Sequence, residues 1–70
     1  MAMRERVLDY EVRLFKVDGA LSVVMKIAAI GDAQAKMQIR SMLKDGITRA
    51  EIWRGLELVG IVAQPPETEQ

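Results

Sequence analysis

Between Leu8 and Ile30 apolar and polar residues alternate in two runs that meet at Asp18-Gly19. Alternation with a period of two is the mark of a strand with one face toward a core. Asp-Gly is a strong hairpin signal, because a two-residue type I′ loop needs φ > 0 at both central positions. That loop would set Val17 opposite Ala20. Leu14 would then face Val23, Val12 face Met25, Tyr10 face Ile27 and Leu8 face Ala29, all on one side. The other side would pair Glu11 with Lys26, Arg13 with Val24 and Phe15 with Ser22. This second side is mixed, with Phe15, Val17, Val24, Ala28 and Ile30 set among charges.

After Gly31 the period changes. Ala35, Ile39, Met42 and Leu43 fall at i, i+4, i+7 and i+8, and helix formers fill the gaps. The spacing predicts a helix over Ala33 to Lys44, with Asp32 as N-cap and Gly46 as the left-handed residue that ends it. Its apolar stripe would lie on the apolar side of the hairpin.

Residues 47–63 admit two readings. Thr48 and Glu51 have capping-box spacing, Ile47 and Ile52 the spacing of a hydrophobic staple, and Ile52, Leu56 and Val59 a helical repeat. Gly55 and Gly60 count against a helix. In the other reading Arg49–Trp53 and Leu58–Ala63 are strands joined through Arg54-Gly55-Leu56-Glu57, with Ile52 opposite Val59 and Ala50 opposite Ile61. The strand reading is favoured, because it gives Gly55 a role and suits Val59, Ile61 and Val62. The fold class expected is therefore α+β, ββαββ: a four-stranded antiparallel sheet with one helix on one face. The alternative is a β-hairpin followed by two helices. One domain is expected over residues 1–63, with 64–70, rich in Pro and Glu, as a disordered tail. Residues 1–6 are polar and would fray or lead into the first strand.

Composition narrows the chemistry. The chain has 70 residues, no Cys and no His, and 50% of it is apolar. A domain this small is marginal alone, and neither a disulfide nor a His-ligated metal is available to staple it. Excess apolar content without a staple points to a homodimer. Ten basic residues balance ten acidic ones, so net charge favours neither nucleic acid nor an anionic membrane. No apolar run approaches the roughly 18 residues of a membrane span, no signal-peptide core follows the start, and a cytoplasmic location is the default.

Catalytic candidates are weak. Without His or Cys the usual nucleophile–base pairs are excluded. Ser41 with Lys44 is a formal possibility, and Glu51 with Glu57 or Asp9 with Glu11 are formal carboxylate pairs. All of these read more simply as solvated surface. The glycines form no phosphate loop. No catalytic residue, cofactor or metal ligand is therefore expected, and the chain is read as not an enzyme.

Two binding surfaces remain. Phe15, Val24, Trp53 and Leu58 are the candidate contacts of a protein–protein interface through the uncovered side of the sheet or an edge strand; an exposed Trp is a common interface anchor. Lys36, Arg40 and Lys44 are spaced as a basic ridge on the helix and, with Arg49 nearby, would touch phosphates if residues 47–59 were a second helix in a helix-turn-helix-like DNA-binding regulator.

Asp32-Ala33-Gln34-Ala35, Met42-Leu43, Ala50-Glu51-Ile52-Trp53-Arg54-Gly55 and Leu58-Val59 together resemble a pattern in short uncharacterised proteobacterial proteins. The resemblance spans most of the chain after Asp9. It implies a ββαββ layout with a Glu-Ile/Val-Trp strand and a bacterial source, and it implies no activity.

Overall fold

The computed structural model describes residues 6–64. The expected features of residues 1–5 and of the tail from 65 onward lie outside them. Five elements follow in the order β1 (Leu8–Lys16), β2 (Leu21–Ala29), α1 (Asp32–Arg40), β3 (Ile47–Arg54) and β4 (Glu57–Ala63). All strands are antiparallel to their neighbours, in the order β2-β1-β3-β4. This is the ββαββ sheet with one helix. The two-helix alternative is overturned, because residues 47–63 form a hairpin.

β2 and β3 both run opposite to β1 and so parallel to each other. A parallel return needs a crossover, and α1 supplies it, over one face of the sheet. Tyr10, Val12 and Leu14 of β1, Ala50 and Ile52 of β3, Ala29 of β2 and Val62 of β4 point to that face. They close over Ala35, Ile39 and Leu43 in a single core.

In the first hairpin Leu8↔Ala29, Tyr10↔Ile27, Val12↔Met25 and Leu14↔Val23 stand as predicted. The loop does not. Gly19 N–H donates to Lys16 O (2.8 Å), Lys16 N–H donates to Ala20 O (2.8 Å), and Asp18 Oδ1 accepts the Ala20 N–H (2.9 Å). Gly19 has φ 89° while Asp18 stays at negative φ. This is a three-residue loop ending in a left-handed Gly, not a type I′ pair. The longer loop shifts the register by one, and Phe15 pairs with Leu21 instead of Ser22. Ser22 is the extra residue of a β-bulge that restores the predicted register beyond it.

α1 is shorter than predicted. Asp32 is its first residue and Gly31 its N-cap, with no side-chain cap bond; the Asp32 carboxylate is engaged elsewhere. At the far end Ser41 Oγ donates to Gln38 O (2.9 Å), and the N–H groups of Met42 and Leu43 reach back three residues rather than four, to Ile39 O (2.8 Å) and Arg40 O (3.3 Å). The tightened turn brings Leu43 into the core and leaves Lys44 off the helix. Asp45 (φ 56°) and Gly46 (φ 89°) follow, closed by Ile47 N–H donating to Lys44 O at 3.0 Å. The positive-φ Asp-Gly pair predicted at position 18 thus occurs at position 45.

In the second hairpin Gly55 (φ 65°) and Leu56 form the loop between the partners Arg54 and Glu57. Here too the register differs from the prediction. Ile52 faces Gly60 and Ala50 faces Val62, because Val59 is an extra residue between the Trp53↔Leu58 and Ile52↔Gly60 pairs. Val62 is 5% exposed as a result, and Ile61 is 52% exposed. Gln64, grouped above with the tail, is held: its N–H donates to Thr48 O (3.0 Å) and its Nε2 to Leu43 O (2.6 Å).

Candidate interaction face of the sheet

α1 covers one face of the sheet, and no described residue covers the other. Three cross-strand rows define this open face. Leu21, Phe15, Arg49 and Ala63 form one, Val24, Arg13, Glu51 and Ile61 the next, and Lys26, Glu11, Trp53 and Leu58 the third. All four predicted interface residues, Phe15, Val24, Trp53 and Leu58, share this face.

The central strands neutralise themselves. Arg13 Nε donates to Glu11 Oε2 (2.8 Å), and its guanidinium lies over the Trp53 ring, 4.8 Å from the centroid. Arg49 lies over Phe15 at 4.3 Å and stands 3.9 Å from Glu51. Trp53 Nε1 donates to Glu51 Oε1 (3.1 Å). Each aromatic ring is thus held half-buried under an arginine, a geometry worth about 0.5–1 kcal/mol at an exposed site. The edge strands differ. Leu21 and Val24 on β2, and Leu58 and Ile61 on β4, are 52%, 52%, 42% and 52% exposed. Leu21 and Ile61 were not predicted as contacts. The signal for Ile61 was hidden by the register change, and that for Leu21 by the bulge at Ser22.

The basic residues do not assemble. Lys36 and Arg40 are on α1, Lys44 is in the loop beyond it, and Arg49 stacks on Phe15 across the sheet from the helix. The stem of Lys36 runs over β4: a Cβ added at Gly60 would sit 2.5 Å from Lys36 Cε.

A polar node lies at the start of α1. Tyr10 Oη donates to Asp32 Oδ1 (2.8 Å), Arg54 Nη1 donates to the same oxygen (3.2 Å), and Arg54 Nη2 stands 3.6 Å from Glu57. Burial pushes the Tyr10 phenol above its ordinary value, the hydrogen bond and charge of Asp32 push it further, and Arg54 opposes. The node ties β1, α1 and the second hairpin together. The formal catalytic candidates are spent similarly: Ser41 on the Gln38 carbonyl, Glu57 beside Arg54, Glu11 on Arg13. A concavity lined by Asp9, Tyr10, Glu11, Lys26 and Gly55 has a volume of about 220 Å³, below the roughly 300–1,000 Å³ of small-molecule sites.

Among the described residues no three or more Cys, His, Asp or Glu side chains group as a metal site, and no helix is long and apolar enough to cross a membrane. Compared with protein-family models, curated proteins and solved structures, the chain matches none of them.

Proposed function

We propose that this chain is a non-catalytic protein–protein interaction module that works as a homodimer joined through its sheet. One observation carries the reading. The sheet face away from α1 is uncovered, and it carries exposed apolar side chains on both edge strands, Leu21 and Val24 on β2 and Leu58 and Ile61 on β4, to either side of an ion-paired middle. Exposed apolar side chains gathered along an edge strand point to a contact site more than singly scattered ones do. Self-association also answers the energetic problem of a chain of 70 residues without Cys, since a core this small is marginal by itself. A cytoplasmic location, and kinship with the short proteobacterial proteins it resembles, fit the same reading.

Sedimentation equilibrium at micromolar concentration tests it. A mass of twice the chain is expected, and a single-chain mass throughout would remove the homodimer.

A further inference from the structure

We infer that the dimer seam is the outer edge of β2, where a second copy of the chain adds its own β2 antiparallel about a two-fold axis through Met25. The inference rests on the homodimer reading above and specifies its partner surface.

The backbone of β2 carries the first part. In an antiparallel strand, N–H and C=O groups point alternately toward one neighbour and the other. Gln38 Nε2 donates to Ala28 O (3.0 Å), and Ile30 N–H donates to Gln34 Oε1 (2.9 Å). Ala28 therefore presents its carbonyl outward, away from β1, and Ile30, just past the end of β2, is held by the helix. By alternation Lys26 and Val24 also present their backbone outward. Helix side chains thus occupy the outer edge at Ala28 and Ile30 and leave it vacant, among the described residues, at Val24 and Lys26. The bulge at Ser22 closes the window at its other end.

The side chains carry the second part. From Leu21 to Met25 the strand has no charge, and Val23, on the helix side, is 45% exposed while Val24, on the open side, is 52% exposed. From Leu21 to Val24 the strand is exposed on both faces, and Met25 is half-buried against the core. The other edge, β4, also carries a bulge, at Val59, but it is covered on the helix side: the stem of Lys36 lies over Gly60, and Val62 is buried in the core.

Symmetry selects the register. An axis through Met25 sets Met25 opposite its own copy, and Val23 opposite Ile27 of the second copy. The outward groups of Val24 meet those of Lys26, an exchange of backbone hydrogen bonds that lies wholly inside the vacant window. Each Lys26 faces a valine rather than the other Lys26. An axis through Lys26 would set like charges together, which cross-strand pairing disfavours. The pairing covers the bare β2 edge and joins the two open faces into one surface, on which Leu58 and Ile61 of β4 stay exposed.

Two kinds of variant test the seam. Val24→Lys places a cation opposite Lys26 of the second copy, and Val24→Glu places an anion there. Sedimentation is expected to show the dimer weakened about tenfold by V24K and kept or tightened by V24E. Met25→Cys, in a chain without cysteine, sits at a closely spaced pair with Cα atoms about 4.5 Å apart. Under mild oxidation it is expected to cross-link into a covalent dimer, and Leu58→Cys on β4 is not. A dimer that responds equally to V24K and V24E, or cross-links at Leu58→Cys and not at Met25→Cys, overturns the seam and leaves the homodimer standing. A wild-type chain that never dimerises overturns both. If Met25→Cys does not fold, the charge pair decides alone.

Discussion

Tyr10 shows how one side chain reports on the whole fold. It is 1% exposed, and its hydroxyl is tied to Asp32. The native state therefore holds the phenol proton to a higher pH than the unfolded chain does. Its contribution to stability is intact below pH about 10 and is lost as pH rises through the raised native value. It is the single tyrosine, so tyrosinate absorbance reads it directly. Titration of the native protein should reach its midpoint above that of the denatured chain, and equal midpoints would refute the buried phenol. Two glycines make a second prediction. Gly46 has φ 89°, so Gly46→Ala should cost about 1–2 kcal/mol in denaturant unfolding. Gly60 is crowded only by the distal carbons of Lys36, which can swing away. Gly60→Ala should therefore be nearly neutral, within about 0.5 kcal/mol. A reversed order would mean that backbone conformation does not set the cost at these positions.

Among the elements, α1 is short, and tertiary contact holds it. A helix of nine residues is marginal in water on its own. Its anchors are Ala35 and Ile39, both 0% exposed. Ile39→Ala should cost about 2–5 kcal/mol, read as a drop in the urea midpoint, because it opens a cavity between helix and sheet. A loss below about 1 kcal/mol would mean that the helix is not the lid of the core. The strands show what alternation does and does not specify. β1 and β2 carry polar residues between their apolar ones, and the body of their pairing was legible. In β4, Leu58-Val59-Gly60-Ile61-Val62 has no polar residue, so no face is marked as outer and a one-residue shift costs little in pattern. The bulge at Val59 made the choice. The loops repeat the lesson: Asp-Gly at 18 and at 45 adopts two different turns, because the flanking strand in one case and the helix end in the other set where the chain must go.

At the scale of the molecule, binding linkage gives the last prediction. If folded chains pair and unfolded ones do not, mass action raises the melting temperature with protein concentration. A series of thermal melts over a hundredfold range should show a steady rise, and a constant midpoint would speak against a dimer coupled to folding. The candidate face was legible in part. Phe15, Val24, Trp53 and Leu58 share a side by parity alone, but the partners that occupy the rings, Arg13 and Arg49, stand on a neighbouring strand, and no sequence spacing reports that. The basic ridge is shortened for a related reason: α1 ends at Arg40, so Lys44 leaves the row that Lys36 and Arg40 still share. The amino-acid order by itself determined β1, β2 and α1 as elements, the interior side of β1 and the apolar stripe of α1, because those depend on periodicity and local propensity; it left residues 47–63 between a hairpin and a helix. Tertiary structure alone decided the strand order, the bulges at Ser22 and Val59 and the bare edge at Val24 and Lys26, because each depends on which backbone groups are already bonded by residues distant in the chain.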